Sequence, residues 1–211
     1  MVDEAKVRLL LHAYACDAIV DGESVRGAEF QGKAGRFAIL ADAVVDATGD
    51  GDMFVSAGAE FEKVKVLPWL WFCMGGVTEP EKAPGAGKRF FRTVGEGKVL
   101  LPWGATDKIA RKIDAADPED LTYAEIECRK QVMQEVDKLR KTVPAFKDAY
   151  LCHIADQLGI TESRRLVGEY VLTREEMDKE RQDTIAITGH WTKYGALYHI
   201  PYGSLLPKEF S

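Results

Sequence analysis

The sequence predicts an α+β protein, in which a β-meander is followed by a mixed region of short strands and one long helix. Residues 6–47 contain apolar runs separated by glycine-containing turns, which is typical of antiparallel strands. Residues 122–142 carry apolar side chains at helical spacing, and strand-like segments lie before and after them. Together these patterns favour two regions that differ in their content of strand and helix.

The composition is that of an ordinary globular chain of 211 residues, which suffices for one domain or two small ones. The net charge of −6 and the scattered basic residues argue against a nucleic-acid-binding surface. No apolar run in the sequence is long enough to span a membrane. The four cysteines lack the spacing of a zinc site, which fits a reducing compartment and predicts a cytoplasmic location.

The meander is predicted from a series of apolar segments near the N-terminus. Residues 21–24 have the composition of a hairpin turn between two of them. The last segment is almost continuously apolar, as expected for a strand buried on both faces. The predicted strands cover residues 6–11, 13–20, 25–30, 35–40 and 43–47.

The stretch VVDATGDGD at residues 44–52 predicts a strand, a glycine turn and the start of a helix. This arrangement can bring backbone N–H groups close to a dinucleotide, and Gly49 and Gly51 leave room for that approach. Asp50 and Asp52 argue against a bare phosphate and suit hydroxyl groups or a cation. The alternative is a turn without a ligand, in which Asp50 or Asp52 caps the helix.

Residues 122–142 form the clearest helix prediction. Thr122 and Glu125 match a capping box at its start, and Pro144 marks its end. The helix is predicted to pack against a core through an apolar face made of Tyr123, Ile126, Met133, Val136 and Leu139.

Arg164 and Arg165 are adjacent in a segment predicted to be extended, so their side chains should point to opposite faces. An inward arginine is costly unless it is paired or faces a cleft. In a cleft it could bind a negatively charged substrate or cofactor. The alternative is an internal salt bridge, for example to Glu162 or Glu169.

Several segments, taken in order, resemble the FAD-dependent oxidoreductases. These are two-domain flavoproteins with a glutathione-reductase-type FAD fold, distantly related to the fumarate reductase flavoproteins. The first matching segment is residues 44–52 together with 57–59. The later ones are residues 161–173, 183–186 and 200–208, so the resemblance extends over nearly the whole chain.

The resemblance implies FAD as the cofactor. It places Ala15 on the strand whose backbone meets the adenine, and it places Arg164, Arg165 and Tyr202 on the flavin or substrate side as candidate catalytic residues. The implied cofactor-binding residues are Ala15, Ala47, Thr48, Gly49, Asp50, Gly51 and Asp52.

The resemblance also implies a domain organisation and a reaction. Residues 1–60 would form a partial FAD-binding domain with the meander and part of the FAD-binding sheet, residues 61–200 a mixed β/α substrate-type subdomain, and residues 201–211 a return toward the first domain. The implied reaction is hydride transfer through flavin N5 to or from a small-molecule substrate.

The chain departs from the family pattern at both ends. No βαβ unit with GxGxxG precedes the meander, and no glycine-rich closing segment follows residue 208. The chain is therefore expected to be a fragment or a split subunit, and a partner chain could supply the missing FAD-domain segments. Two alternatives stay open: a non-catalytic remnant or interaction subunit that binds no flavin, and a small-molecule binding domain that uses the turn at residues 49–52.

Overall fold

A computed structural model describes residues 4–79, 90–104, 111–176, 179–189 and 197–208. The helices are α1 (Asp52–Ser56) and α2 (Pro118–Thr142), with 3₁₀ turns at Pro144–Phe146 and Tyr202–Leu205. The strands in chain order are β1 (Tyr14–Asp21), β2 (Ser24–Gly32), β3 (Gly35–Leu40), β4 (Phe61–Lys63), β5 (Lys65–Val66), β6 (Trp69–Gly75), β7 (Phe91–Arg92), β8 (Val99–Gly104), β9 (Ile113–Asp114), β10 (Tyr150–Ile154), β11 (Arg164–Leu166), β12 (Thr184–Gly189) and β13 (Leu197–Pro201). The α+β prediction is confirmed.

The chain divides into two compact units: unit 1 is Met1–Glu62 with Arg164–Ser211, and unit 2 is Lys63–Ser163. Residues 164–200, which the sequence groups with the second domain, therefore cluster with the N-terminal region. The physical reason is hydrogen bonding, because β11 pairs with β4 and the Val167 N–H donates to the Glu60 carbonyl at 2.9 Å.

The meander of unit 1 is an antiparallel sheet in the order β1-β2-β3. Its first hairpin turns as predicted, since Asp21 pairs with Ser24 and Gly22 between them has a φ of 59°. In the same unit β12 pairs with β13. Helix α1 lies against β1, where the Ser56 hydroxyl accepts a hydrogen bond from the Ala18 N–H at 2.9 Å.

Two predicted strands of this region are wrong. Residues 7–11 and 43–47 lie outside any strand, and Val45 is 87% exposed. Their apolar composition suggested buried strands, but a strand also needs a neighbour that pairs with its backbone groups. Neither segment has such a neighbour among the described residues of unit 1.

Unit 2 is built around a four-stranded sheet in the order β10-β6-β8-β7, with a small β5-β9 ladder beside it. One face of the sheet packs on α2. The buried core consists of Leu70, Phe72, Met74, Val77, Val99, Leu101, Cys128, Val132, Val136, Phe146 and Ala149.

Helix α2 begins four residues before the predicted start. Asp117 caps it, accepting a hydrogen bond from the Glu119 N–H, whereas the predicted cap Thr122 lies inside the helix and donates to the Pro118 carbonyl. The predicted apolar face is also wrong in part, because Ile126 and Met133 are each 51% exposed. The face that is buried carries mainly small residues: Ala124, Cys128, Val132 and Val136. Neither helix of the described chain is long and apolar enough to cross a membrane.

Candidate functional site

Unit 1 contains a cavity of about 700 Å³ between the turn at residues 44–51, α1 and the segment at residues 202–207. Its walls are predominantly apolar, with a few polar groups among them, as in sites for small organic ligands. The lining residues are Val25, Val44, Val45, Asp46, Ala47, Gly49, Gly51, Met53, Phe54, Ala57, Leu166, Ile185, Tyr202, Ser204, Leu205, Leu206 and Pro207.

Asp46 organises the turn that forms one wall. Its Oδ1 accepts hydrogen bonds from the Thr48 N–H at 3.0 Å and the Thr48 hydroxyl at 2.7 Å. Its Oδ2 accepts from the N–H groups of Met53 at 3.1 Å and Phe54 at 3.0 Å. Burial of the carboxylate opposes its ionisation, but these four hydrogen bonds outweigh burial and lower the pKa of Asp46.

The hydrogen bonds of Asp46 also close the N-terminus of α1. The Asp52 N–H donates to the Thr48 hydroxyl at 2.9 Å, and the Val55 N–H donates to the Gly51 carbonyl at 3.1 Å. All four N–H groups at the start of the helix are therefore occupied within the protein. The predicted capping by Asp50 or Asp52 is wrong, since Gly51 occupies the N-cap position and Asp46 supplies the acceptors. An anion does not gain these N–H groups as donors unless the turn rearranges.

The two glycines of the turn have different roles. Gly51 has a φ of 71°, and a Cβ built on it would lie 1.9 Å from Cε1 of Phe54. Gly51 therefore allows the Phe54 ring to pack against the turn. Gly49 has a φ of 92° with open space where a Cβ would lie, so its bare backbone faces the cavity.

Arg164 ties β11 to the glycine turn. Its Nη1 donates to Asp52 Oδ1 at 2.6 Å and to the Asp50 carbonyl at 3.2 Å. Its side chain is 16% exposed, whereas Arg165 is on the exposed side of the strand. Arg164 is thus the inward member of the pair, and its ion-pair partner is Asp52. Arg164 Nε is buried and has no acceptor among the described residues.

The segment at residues 202–208 forms the opposite wall and is fixed by backbone hydrogen bonds. The Glu169 N–H donates to the Leu206 carbonyl at 2.9 Å, and the Lys208 N–H donates to the Val167 carbonyl at 3.1 Å. Gly168 permits this approach, because a Cβ built there would lie 3.0 Å from the Ser204 carbonyl oxygen. Ser204 lines the cavity, and its hydroxyl is buried and has no partner among the described residues.

A polar network supports Tyr202 from behind. The Tyr202 N–H donates to the Asp183 carbonyl at 2.9 Å, and the Asp183 carboxylate accepts two hydrogen bonds from Arg181. The Arg181 guanidinium stacks on the Tyr170 ring and donates to the Tyr170 hydroxyl. The hydrogen bonds from Arg181 lower the pKa of Asp183. This network holds the start of the 202–208 segment in place.

The structure brings most of the predicted site residues together. Ala47, Gly49, Gly51 and Tyr202 line the cavity, and Thr48, Asp50 and Asp52 complete the turn. Arg164 reaches this turn through Asp52. Ala15 is on β1 and Arg165 on the exposed side of β11, and neither is among the residues that line the cavity.

Three residues of the site were missed by sequence reasoning. Asp46 is not among the predicted cofactor-binding residues, although an Asp two residues before Thr48 is a signal for a side-chain-to-backbone turn. The sequence indicates Phe54 only as one apolar residue of a helix. Ser204 had no signal beyond its place within the segment at residues 200–208.

The class of the protein comes from comparison with known families. The family model described as FAD dependent oxidoreductase matches residues 1–86 and 73–193. The chain belongs to the FAD-dependent oxidoreductase family. FAD, the predicted cofactor, is confirmed as the cofactor of that family.

Comparison with curated proteins gives no match. Among solved structures, the chain is similar to CabE, an aromatic hydroxylase from angucycline biosynthesis, with 14% sequence identity and a TM-score of 0.43. The match covers 75% of this chain and 31% of the hydroxylase chain, so this chain spans about a third of that protein.

The residues of unit 1 fit part of FAD. The apolar walls suit a planar ring, Gly49 offers bare backbone, and the Ser204 hydroxyl is a buried polar group that the described part of the chain leaves without a partner. The pyrophosphate has no equivalent provision at α1, because the N–H groups of its first turn are occupied.

Proposed function

We propose that this chain is part of an FAD-dependent oxidoreductase with a glutathione-reductase-type FAD fold, and that unit 1 holds the flavin-ring side of the cofactor. The observation that carries the proposal is the cavity formed by the 44–51 turn and the 202–207 segment. When bound, FAD would supply hydride exchange at N5 with a small-molecule substrate. Unit 2 is proposed to carry substrate-side surface.

The site residues then take different roles. Gly49 and Tyr202 line the cavity and are proposed to contact the cofactor or substrate directly, and Tyr202 is 51% exposed. Asp46 and Arg164 are proposed as positioning residues, since both act by fixing the turn. The Arg164 charge is largely compensated by Asp52, which argues against Arg164 as the group that binds a substrate carboxylate.

A further polypeptide segment is proposed to cover part of unit 1. Its described residues expose many large apolar side chains, whereas an ordinary protein surface carries only scattered ones. They include Val7, Leu9, Leu10, Leu11, Phe37, Ile39, Leu40 and Val45. The covering segment could belong to a partner chain. A chain that is monomeric by size-exclusion chromatography and binds no apolar dye would contradict this part of the proposal.

The experiment is a titration of the full chain with FAD, riboflavin and ADP, followed by flavin fluorescence. If the cavity holds the ring and not the pyrophosphate, FAD and riboflavin bind with similar affinity and ADP does not compete. Gly49→Val should lower flavin affinity by at least about tenfold, or 1.4 kcal/mol, because the side chain enters the cavity.

Gly35→Val is the matched control, since Gly35 also has a positive φ, 121°, and open space but is the first residue of β3, away from the residues that line the cavity. Equal flavin affinity in both variants and in the unchanged chain would contradict the proposed cavity.

The second candidate is that the chain binds no flavin and is either a non-catalytic remnant of the family or a domain that binds another small molecule. The closed N-terminus of α1 favours it, because a dinucleotide gains no N–H donors there. Absence of flavin binding with retained folding would support this candidate over the first.

The cellular location is proposed to be the cytoplasm. The four cysteines are all free, as expected where thiols are kept reduced.

A further inference from the structure

Two of the free cysteines lie on neighbouring strands of unit 2. Cys73 is on β6, and Cys152 is on β10, which pairs with β6 at the edge of the four-stranded sheet. The register contains a bulge at this point: Leu151 pairs with Met74 and His153 with Cys73, so Cys152 is the extra residue opposite the Cys73–Met74 step.

Both side chains lie on the same face of the sheet. Cys73 and Gly75 share one face of β6 because they are two residues apart. A Cβ built on Gly75 would lie 2.8 Å from the Cys152 sulfur, so that sulfur crosses from β10 onto this face. The opposite face carries Phe72 and Met74, which are buried in the core. The two thiols therefore sit together on the outer face.

Their environments differ. Cys152 is exposed and Cys73 is half-buried. Burial raises the pKa of the Cys73 thiol, and the adjacent Cys152 sulfur raises that pKa further. The two sulfurs are thus close enough to influence each other. As the extra residue opposite the Cys73–Met74 step, Cys152 is a cross-strand neighbour of Cys73, and a disulfide between them needs their Cβ atoms about 3.5–4.5 Å apart.

We propose that Cys73 and Cys152 form a redox-active dithiol site, which a peroxide such as hydrogen peroxide oxidises to a cross-strand disulfide. This inference does not depend on flavin binding. In a reducing compartment such a disulfide would be transient and reversible by a dithiol reductant.

The chemistry requires two displacement steps. The Cys152 sulfur attacks one peroxide oxygen, the O–O bond breaks, and the leaving oxygen takes the thiol proton and departs as water, which leaves Cys152 as a sulfenic acid. The Cys73 sulfur then attacks the Cys152 sulfur, the S–O bond breaks, and the hydroxyl leaves as a second water with the Cys73 proton. Two thiols lose two electrons, and one peroxide is reduced to two waters.

The test is mass spectrometry of the full chain after treatment with hydrogen peroxide under denaturant-free conditions. The expected result is a loss of two hydrogens from the intact mass and a linked pair of peptides containing Cys73 and Cys152, both reversed by dithiothreitol. Cys73→Ser and Cys152→Ser should each abolish the linkage.

Cys16→Ser and Cys128→Ser are the matched controls and should leave the linkage intact, because Cys16 is on β1 and Cys128 is buried on α2, so neither is on the β6–β10 strand pair. The peptide map of the unsubstituted chain tests the proposal even if a variant folds poorly. The proposal would be overturned if Cys152 gained oxygen atoms without forming the disulfide, or if Cys152 formed a disulfide with a second copy of the chain.

Discussion

Arg164 and Asp52 are 112 residues apart in sequence, and their side chains form a 2.6 Å ion pair that joins β11 to the glycine turn. The same Nη1 also donates to the Asp50 carbonyl, so one guanidinium group restrains both the side chain and the backbone of the turn. Because Asp52 is 53% exposed, solvent weakens the charge interaction, and the pair serves mainly to fix geometry.

A double-mutant cycle of Arg164→Met and Asp52→Ala should show a coupling of about 0.5–1 kcal/mol in the free energy of unfolding. The magnitude is modest because one partner is half exposed. Urea unfolding of the two single variants and the double variant measures it. The control is Arg165→Met with Asp52→Ala, since Arg165 is on the exposed side of β11. A coupling of the same size in the control cycle would contradict the assigned pair.

Asp46→Asn should lower the free energy of unfolding by about 1–2 kcal/mol. The variant replaces one carboxylate oxygen by an NH₂ group, which faces N–H or O–H donors and cannot accept from them. Urea unfolding at neutral pH measures the loss. Asp42→Asn is the matched control, because Asp42 is exposed in the same region, and it should have little effect.

We also expect the stability difference between the unsubstituted chain and Asp46→Asn to depend on pH. The pKa of Asp46 is lowered below its ordinary value of 3.8, so its contribution is fully present above pH 3.8 and is lost as the pH falls through the lower folded pKa. The difference in unfolding free energy between the unsubstituted chain and Asp46→Asn should therefore be constant near neutral pH and shrink in the acid range. A difference that grows as the pH falls would have the wrong sign for this carboxylate.

The sequence predicted those elements whose signals are local. The hairpin at residues 21–24 and the glycine turn at 49–51 were recognised because the turn residues themselves determine the backbone. The pairing of Arg164 with Asp52 was not predictable, since no spacing rule connects residues so far apart in the chain. The ligand-free alternative predicts Asp50 or Asp52 as the cap of α1, whereas the fold brings Asp46 back to the helix from the other end of the turn.

Helix α2 shows a second physical limit of sequence reasoning. Its period was recognised, but large apolar residues were assumed to define the buried face. The helix packs into the core that contains the β6 side chains through Cys128 and Val132, and it leaves Ile126 and Met133 half exposed. Where a helix packs closely on a sheet, its buried side chains must match the shape of the sheet surface as well as be apolar. The helix sequence alone does not contain that surface, so it does not show which residues fit it.

Gly51→Ala should cost clearly more stability than Gly22→Ala. Both glycines have a positive φ, 71° and 59°, so each variant pays about 1–2 kcal/mol for the left-handed backbone. Only at Gly51 does the new methyl group meet the Phe54 ring, which adds about 1–3 kcal/mol of overpacking unless the ring moves into the cavity. Urea unfolding measures the loss of unfolding free energy in the two variants. Equal losses would show that the Phe54 ring moves away from the new methyl group at no cost.

Ser204→Ala should affect flavin binding without reducing the stability of the fold. Ser204 lines the cavity, and no described residue hydrogen-bonds its buried hydroxyl, so removal of the hydroxyl should leave the free energy of unfolding unchanged or raise it by up to about 1 kcal/mol. If the hydroxyl completes its hydrogen bonding with a bound flavin, the same variant should lower flavin affinity by about five- to tenfold.

Ser56→Ala is the control with the opposite pattern, because the Ser56 hydroxyl joins α1 to β1 and does not line the cavity. Ser56→Ala should reduce stability and leave the intrinsic flavin affinity of the folded chain unchanged. A Ser204→Ala chain that loses stability but keeps its flavin affinity would place this hydroxyl in the structure of the wall and outside ligand binding.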